Sequence, residues 1–344
     1  MSELAATLEK LLRGTHLAEA EAAALLVDLT RDDTEPVLAA ALLTALRAKG
    51  ETAAELRGFA GAMRSLARSP AIEGRGSLLD IVGTGGDGSG SLNLSTGASL
   101  LAAACGIPVA KHGNRSISSR SGSADVLEAL GMCLPADEAA AVACLEATGY
   151  TFLFAPYFHP AMKALGPVRR TLGVRTVFNM LGPLTNPAAP PYLLLGAFSP
   201  QAARLMAEAI AGFPDLERGF VVHGAPGWDE ATPVGPFLLL DVRDGTVVET
   251  TRDPAEWGIA RCAAEDLAGG DAAHNATCLR AVFSGRETGP HRDALLLGAA
   301  LALELTDHAA APESAMETAR QVLLDGRAEA LLGALVEHTS RDRP

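Results

Sequence analysis

A short apolar run near residue 80 is followed by four closely spaced glycines, and this combination constrains the fold more than any other part of the chain. The run from Leu78 to Val82 is typical of a buried strand, because it is aliphatic, short and ends at a turn signal. Glycines permit positive φ angles and let the backbone approach a ligand closely. Here they are Gly83, Gly85, Gly86 and Gly88.

A helix and a second strand follow this turn. Ser95 and Thr96 begin an apolar stretch with helical character that ends at Gly106, and Ile107 to Ala110 is predicted to be the next strand. Strand, helix and strand in this order form a βαβ unit. The first N–H groups of a helix lack intrahelical partners and carry partial positive charge, so the sequence predicts an anion site at the start of this helix.

A second polar loop begins at Lys111, which we expect at the carboxyl end of the second strand, and leads to another helix near Ala124. Its polar side chains are Asn114, Arg115, Ser116, Ser118, Ser119, Arg120 and Ser123. Two adjoining polar loops predict a phosphate site. Neither the dinucleotide fingerprint G-x-G-x-x-G nor the Walker A frame fits well, so the expected ligand carries phosphates without being a dinucleotide.

Length and composition limit the class of protein. A chain of 344 residues suggests about two domains, and no apolar run reaches the roughly 18 residues that cross a bilayer. With no signal-peptide core at the N-terminus, we expect a cytoplasmic protein. Five widely spaced cysteines indicate reduced thiols. A net charge of −13 disfavours a general nucleic-acid or anionic-membrane surface.

The first 70 or so residues have a helical pattern, and Thr52 followed by Glu55 has the spacing of a capping box. Residues Ala39 to Leu46 are apolar around much of their circumference. They belong either to a buried core helix or to a helix that also packs against another subunit. We place the domain boundary in the Pro- and Gly-containing segment, with a helical domain at 1–72 and a larger domain at 73–344.

Beyond residue 77, apolar strands alternate with helices. This alternation predicts an α/β fold: a small all-helical N-terminal domain and a large α/β domain with a mainly parallel mixed central sheet flanked by helices. The predicted strands are Leu78 to Val82, Ile107 to Ala110, Tyr150 to Phe154, Tyr192 to Phe198, Gly219 to Val222, Phe237 to Val242 and Val247 to Thr250, the last two as a hairpin. Ligands bind beyond the carboxyl ends of such strands.

An acidic pair, Asp229 and Glu230, follows the strand that ends near His223. Taken alone, adjacent carboxylates indicate a solvated surface. A Mg²⁺ site is the alternative, because this ion binds a few carboxylate oxygens together with water and substrate phosphates.

Several segments, in this order, closely resemble the anthranilate phosphoribosyltransferase family over essentially the whole chain: DIVGTGGDG, NLST, KHGNRSISSRSGSADVLEALG, HPAM with VRRTLGVRT, FNMLGPLTNP, HG-x-x-G-x-DE and GGDAAHNA. The resemblance implies transfer of the phosphoribosyl group of 5-phosphoribosyl-1-pyrophosphate (PRPP) to the amine of anthranilate, the second step of tryptophan synthesis after chorismate. It also implies a homodimer formed through the helical domain.

Matched residue by residue, the resemblance assigns the pyrophosphate and ribose to Gly83, Gly86, Asp87, Ser91, Asn93, Leu94, Ser95, Thr96, Lys111, His112, Gly113, Asn114, Arg115, Ser116, Ile117, Ser118, Ser119 and Ser123. It assigns Mg²⁺ to Ser95, Asp229 and Glu230, and anthranilate to Gly83, Asn114 and Arg169. It implies no catalytic general base, since an arylamine is neutral at pH 7.

Some assignments remain open on the sequence alone. Arg170 and Arg175 compete with Arg169 for the acceptor carboxylate. His159 either lines the entry path or is structural. Departures from the family pattern, at Leu92, Ala225, Pro226, Phe237 and His274, remove no group that the reaction requires. The alternative functions are a pyrimidine-nucleoside phosphorylase and a non-catalytic relative that binds nucleic acid, and the acidic balance opposes the second.

Overall fold

The computed structural model describes residues 3–74, 76–116 and 120–340. Its N-terminal part is a bundle of four helices, α1 Glu3–Leu12, α2 Glu19–Leu29, α3 Pro36–Lys49 and α4 Ala53–Ser65. The predicted capping box begins α4: Thr52 Oγ1 accepts from the Glu55 N–H at 3.2 Å, and Glu55 accepts from the Thr52 N–H at 2.8 Å. The buried Glu55 carboxylate also binds Lys49 at 2.9 Å and the Leu17 N–H at 2.8 Å, so one side chain holds three elements of the bundle.

The second part is built on a seven-stranded mixed sheet in the order β3-β2-β1-β4-β5-β6-β7. The strands are β1 Leu79–Gly83, β2 Val109–Gly113, β3 Tyr150–Phe154, β4 Tyr192–Gly196, β5 Arg218–His223, β6 Phe237–Arg243 and β7 Thr246–Arg252. The first five are parallel, and β6 and β7 are antiparallel. All seven predicted strands are present, and the predicted fold class is confirmed.

Most strand boundaries were predicted to within one residue, and the larger errors lie in β2, β4 and β7. Strand β2 starts at Val109 and continues to Gly113, so Lys111 lies inside it, whereas β4 ends at Gly196. The predicted hairpin is correct: Asp244 and Gly245 both have positive φ, at 52° and 72°. These angles match the two-residue turn that suits the twist of antiparallel strands.

Helices cover both faces of the sheet. They are α5 Leu94–Ala104, α6 Ser123–Ala129, α7 Glu138–Thr148, α8 Ala155–Phe158, α9 Gly166–Leu172, α10 Phe178–Leu181, α11 Pro200–Ile210, α12 Ala272–Phe283, α13 Pro290–Leu305, α14 Pro312–Leu324 and α15 Arg327–Ser340. Short 3-10 helices occur at Pro160–Lys163, Gly182–Leu184, Pro254–Trp257 and Ala264–Leu267. Within the described ranges, no helix has both the length and the apolar character needed to cross a membrane.

Alternate side chains of the strands enter two different cores. Leu194, Phe220 and Val222 pack with α5 and α12–α15, whereas Leu193 and Val221 pack with α11 and the four-helix bundle. The period of two residues along a strand produces this division. The bundle and the sheet therefore share one continuous apolar core, and the predicted boundary at residues 72 and 73 lies in the chain between α4 and β1.

The apolar stretch Ala39 to Leu46 contributes to this shared core. Ala39, Leu42, Leu43 and Leu46 are at most 2% exposed within the single chain. Within the single chain, the first of the two alternatives, a buried core helix, therefore describes this stretch. The exposed large apolar side chains of the bundle are instead Leu12, Val27, Val37 and Leu66.

Candidate active site

A crevice opens between β1 and β4, where the order of the strands reverses. From β1 the chain proceeds to β2 and β3 on one side, and β4 then pairs with β1 on the other side. Gly83 and Gly196, the last residues of β1 and β4, lie in register. Because the loops after these strands diverge, their carboxyl ends leave the space in which open α/β sheets bind ligands.

The acidic pair lies in this crevice. A Cβ atom added to Gly196 would be 1.5 Å from the carbonyl oxygen of Asp229, and one added to Gly83 would be 2.4 Å from Asp229 Oδ2. A Cβ on Gly224 would likewise be 1.9 Å from the carbonyl oxygen of Glu230. Asp229 is 8% exposed, so the interpretation of this pair as solvated surface residues is wrong.

Backbone groups of two loops bind these carboxylates. Asp229 Oδ2 accepts from the Gly85 N–H at 2.6 Å, and the Asp229 N–H donates to Asp87 at 3.3 Å. Glu230 Oε1 accepts from the Ser95 N–H at 2.8 Å. The protein's own Glu230 therefore occupies part of the predicted anion site at the start of α5.

The surroundings disfavour negative charge on both acids. Burial, reinforced by the Asp87 carboxylate, raises the pKa of Asp229 to about 7. Burial and the neighbouring Asp229 raise the pKa of Glu230 well above its usual value. The two carboxylates lie close together and Lys111 offsets the charge of Glu230 only in part, so the pair fits a cation such as Mg²⁺. Among the described residues, no group of three His, Cys, Asp or Glu side chains is arranged to hold a metal ion.

The segment 83–93, the glycine loop, forms the adjacent wall. Gly86 has a φ of 69°, as a close backbone turn requires. Asp87 Oδ1 accepts from the N–H and hydroxyl of Ser89 at 3.0 and 2.9 Å, and Ser89 contacts Ser91 at 3.2 Å. Asp87 thus lies next to the acidic pair through the Asp229 N–H, and Ser89 links Asp87 to Ser91.

Leu94 and Thr96 differ from the other residues that the family resemblance assigns to PRPP. The Leu94 side chain is in the core, and its N–H donates to the Leu92 carbonyl oxygen at 2.6 Å. Thr96 is fully buried. Both side chains are buried because the first turn of α5 packs against the core, and Leu94 also lines the cavity beside Gly83, Ser95 and the acidic pair.

Lys111 and the buried Asp80 form a charged layer beneath the crevice. Lys111 is 1% exposed, and its ammonium donates to the Ile81 carbonyl oxygen and to Ser95 Oγ. Burial lowers the pKa of Lys111, and the Asp80 carboxylate opposes this shift. Asp80 itself accepts from the His112 N–H at 3.2 Å and from Asn186 at 2.8 Å, and burial raises its pKa to about 6.

Sequence reasoning missed Asp80 and Asn186. The available signal was a charged residue in the middle of an otherwise apolar strand, because such a residue requires buried partners. Asn186 provides one of them, and it also donates to the Ala110 carbonyl oxygen at 2.8 Å. The network joins β1 and β2 to the rigid segment around the 3-10 helix Gly182–Leu184.

The segment 113–123, the serine loop, is described in part, since Ile117, Ser118 and Ser119 lie outside the described residues. Arg115 pairs with Asp125 at 3.0 Å and Glu128 at 2.6 Å on α6, so its charge is engaged away from the crevice. This loop begins at Gly113, the last residue of β2, and ends at Ser123, the first residue of α6. Between them lie Asn114, which is exposed, and Ser116, which is partly buried.

Among the three candidate arginines, Arg169 differs in its environment. It is half-buried on α9, 5.1 Å from the ring centre of Phe178, and no described carboxylate pairs with it. Burial lowers the pKa of its guanidinium. Arg170 and Arg175 are exposed. Arg169 is thus the candidate whose partially desolvated charge has no partner within the described chain.

His112 and His159 are both buried, with ring centres 5.1 Å apart. Burial lowers the pKa of His112 to about 3 and that of His159 to about 4, so both are neutral at pH 7. His112 Nδ1 lies 3.2 Å from the Gly182 carbonyl oxygen. The contact between the two rings brings the segment before the 3-10 helix Pro160–Lys163 against β2.

Comparisons with known proteins agree with this geometry. Residues 75–329 match the α/β domain of a glycosyl transferase family, and residues 5–67 match the helical bundle domain of that family. An anthranilate phosphoribosyltransferase of Solibacter usitatus is 50% identical over 298 residues, which are 86% of this chain and 87% of the relative.

The chain belongs to the anthranilate phosphoribosyltransferase family. The crystal structure of a member from Thermus thermophilus has a TM-score of 0.91 and 44% identity, covering 97% of this chain and 99% of the other. A Saccharomyces cerevisiae member in complex with PRPP and Mg has a TM-score of 0.90 and 27% identity, covering 99% of both chains. Anthranilate phosphoribosyltransferases are pentosyltransferases of tryptophan biosynthesis, so the phosphorylase and nucleic-acid-binding alternatives lose their support.

Proposed function

We propose that the crevice between β1 and β4 performs the reaction of the family, transfer of the phosphoribosyl group of PRPP to the amine of anthranilate, releasing pyrophosphate. The observation that carries this assignment is the buried acidic pair beside the glycine loop. Both carboxylates have raised pKa values and lie close together, with Lys111 offsetting the charge of Glu230 only in part, which favours a bound cation. PRPP, a pyrophosphate ester, would bind together with Mg²⁺, and its phosphate oxygens would provide the remaining ligands of the ion.

The donor site in this proposal comprises the glycine loop, the first turn of α5, the end of β2 and the serine loop. Backbone N–H groups of the glycine loop and the Lys111 ammonium offset the negative charge of the pyrophosphate. Ser95, Asp229 and Glu230 hold Mg²⁺. When bound, the ion stabilises the negative charge that develops on the leaving pyrophosphate.

The acceptor site comprises Gly83, Asn114 and Arg169. A guanidinium can make two parallel charge-assisted bonds to a carboxylate, and Arg169 is half-buried with no carboxylate partner among the described residues. The carboxylate of anthranilate is a suitable partner. The guanidinium of Arg169 lies over the ring of Phe178, and this contact limits the directions in which the guanidinium can point.

No side chain needs to remove a proton before attack. The lone pair of the neutral arylamine forms the bond to the ribose C1, the bond from C1 to the pyrophosphate oxygen breaks, and the amine then loses a proton to water. His112 and His159, the buried histidines nearest to β2, are neutral and contact each other. Holding both substrates in line supplies most of the remaining acceleration.

The direct test is a fluorescence assay that follows the loss of anthranilate after PRPP and Mg²⁺ are added to the purified protein. We expect turnover that requires both additions. Absence of turnover alongside an active control member of the family would refute the assignment.

Two further proposals concern the assembly and its location. A homodimer formed through the helical bundle is supported by the exposed apolar side chains Leu12, Val27 and Val37. A cytoplasmic location is supported by the five cysteines, which are free thiols in the structure and persist in a reducing compartment.

A further inference from the structure

The glycine loop is held from behind by a segment far away in the chain, residues 264–275. The Leu92 N–H donates to the Leu267 carbonyl oxygen at 3.0 Å, and the Gly269 N–H donates to the Gly90 carbonyl oxygen at 2.8 Å. A Cβ on Gly269 would lie 2.4 Å from the Ser91 carbonyl oxygen, so the two backbones touch. We call residues 264–275 the strap.

Three side-chain hydrogen bonds extend from the strap into the donor site. The Gly270 N–H donates to Asn275 Oδ1 at 2.6 Å, and Asn275 Nδ2 donates to Asn93 Oδ1 at 2.9 Å. Asn93 Nδ2 then donates to the Ser121 carbonyl oxygen at 3.1 Å. The relay joins the strap, the glycine loop and the serine loop.

Both ends of this relay are backbone groups with fixed roles. The Gly270 N–H can only donate, and the Ser121 carbonyl oxygen can only accept. Asn275 must therefore present its oxygen to Gly270 and its amide nitrogen to Asn93. Asn93 must in turn present its nitrogen to Ser121, so the orientation of its amide is determined by Asn275.

Asn275 is 2% exposed on α12 and lies behind Asn93. Asn93 precedes the first turn of α5, and its side chain makes no cap hydrogen bond to that helix. An asparagine at this position usually caps the helix, and that hydrogen bond fixes the direction of its amide. Asn93 makes no such cap, so the hydrogen bonds of the relay fix its amide instead. One hydrogen of Asn93 Nδ2 and one lone pair of Oδ1 remain for a ligand.

We propose that Asn275 is a positioning residue for PRPP: it acts through Asn93, fixing the direction of the Asn93 amide and holding the glycine loop against the serine loop. This inference rests on the proposed function of the crevice. It assigns the strap, which contributes no group to the reacting atoms, a role in binding the donor substrate. Anthranilate meets these loops through Gly83 and Asn114, but its charged partner, Arg169, lies on α9 outside the relay, so we expect anthranilate binding to change less than PRPP binding.

The test is a double-mutant cycle with Asn275→Leu, Asn93→Ala and the double variant, with the PRPP dissociation constant measured by calorimetry and both KM values by steady-state kinetics. Leucine has the same branching and number of heavy atoms as asparagine, although its methyl groups are larger, and it breaks two hydrogen bonds of the relay. We expect Asn275→Leu to weaken PRPP binding by about 10-fold or more, with the KM for anthranilate close to wild type. In the Asn93→Ala background the same substitution should have little further effect.

A matched control is Thr277→Val on the same helix, where the exposed hydroxyl donates to the Ala273 carbonyl oxygen at 2.9 Å. It should leave both KM values unchanged. Melting temperatures identify loss of fold, and Asn275→Ala replaces the leucine variant if that variant unfolds. An equal loss of PRPP affinity in the Asn93→Ala background, or equal effects on both substrates, overturns the proposal. Lack of turnover by the wild-type protein would instead refute the proposed function.

Discussion

At the scale of single residues, the buried and half-buried charges assigned to the site are of two kinds. Lys111 has neutralising partners, because it binds the Ile81 carbonyl oxygen and lies near Asp80. Asp229 and Arg169 have no ion-pair partner among the described residues. Since burying an unpaired charge is unfavourable, such groups persist where a ligand completes them. Lys111 therefore has a charged neighbour before PRPP binds, whereas Asp229 and Arg169 are proposed to gain their partners, Mg²⁺ and anthranilate, with the substrates.

The first prediction concerns the acidic pair. Asp229→Asn together with Glu230→Gln should leave the protein folded and reduce turnover strongly, because both substitutions remove a negatively charged oxygen ligand for Mg²⁺. Excess Mg²⁺ should restore part of the activity. The measurement is a Mg²⁺ titration of the initial rate, with melting temperatures recorded with and without the ion.

The control for this pair is Asp215→Asn with Glu217→Gln, which removes two exposed carboxylates and the same formal charge. It should have wild-type Mg²⁺ dependence. Wild-type kinetics for the Asp229 and Glu230 double variant across the titration would contradict the metal assignment.

The second prediction concerns Arg169→Ala, which should impair the use of anthranilate and leave PRPP binding nearly unchanged. Loss of a charge-assisted pair costs about 1.5–3 kcal/mol, so kcat/KM for anthranilate should fall by about 10- to 150-fold. Lysine should restore little, because a point charge lacks the planar fork of donors. Calorimetry with PRPP and kinetics with varied anthranilate measure the two effects separately.

Arg170→Ala is the matched control, since Arg170 is the exposed neighbour on the same helix. It should behave as wild type. If Arg169→Ala weakens PRPP binding while the KM for anthranilate stays constant, Arg169 belongs to the phosphate site.

At the scale of elements, the ends of β1 and β4 position the acidic pair by leaving room for it. Neither Gly83 nor Gly196 has a positive φ, so the absence of a side chain is what matters at these positions. The segment that carries Asp229 passes across the ends of both strands. The carbonyl oxygen of Asp229 occupies the position that a Cβ atom of residue 196 would take.

We therefore expect Gly196→Ala to displace this segment and reduce kcat/KM by about 100-fold, the usual cost of misplacing a catalytic group by about 1 Å. Overpacking should also destabilise the protein by about 1–3 kcal/mol. Gly61→Ala in α4 is the control, because nothing lies within 4 Å of its Cβ, and it should stabilise the protein slightly. Unchanged activity of Gly196→Ala would show that the segment can move without loss of the site.

At the scale of the whole molecule, the helical bundle is part of the architecture that supports the crevice. It shares a core with one face of the sheet, and Arg64 of α4 donates to the Leu184 carbonyl oxygen at 3.0 Å. The sheet supplies the crevice, whereas the strap and α12 close it from behind. The bundle also presents an exposed apolar surface, with Val37 81% exposed.

The last prediction concerns assembly. Wild-type protein should scatter light as a dimer over a dilution series, and Val37→Glu should shift it toward the monomer, because a carboxylate would be buried at the interface. Glutamate also suits the first turn of α3, so the helix itself should remain intact. Val174→Glu, at an exposed valine of the larger domain, is the control. A monomer mass for the wild type at all concentrations would reject the homodimer.

The amino-acid sequence by itself determined the class of fold and the seven strands, and it predicted a phosphate site in the glycine loop and at the start of α5. These features depend on local patterns: apolar runs with short periods, glycines at turns, the Thr52 and Glu55 capping box, and the Asp244-Gly245 hairpin turn. The family motifs further predicted the activity, because motif order and spacing are retained over the whole chain.

The tertiary structure decided which residues are buried and which meet. Asp229 and Glu230 look like surface residues in the sequence, yet the sheet order and two distant glycines enclose them. The apolar side chains of Ala39 to Leu46 are buried in the shared core. Asn275 forms a hydrogen bond with Asn93, which lies 182 positions earlier in the chain. Burial, pKa and hydrogen-bond direction depend on contacts between segments far apart in the chain, and a local pattern contains no information about those contacts.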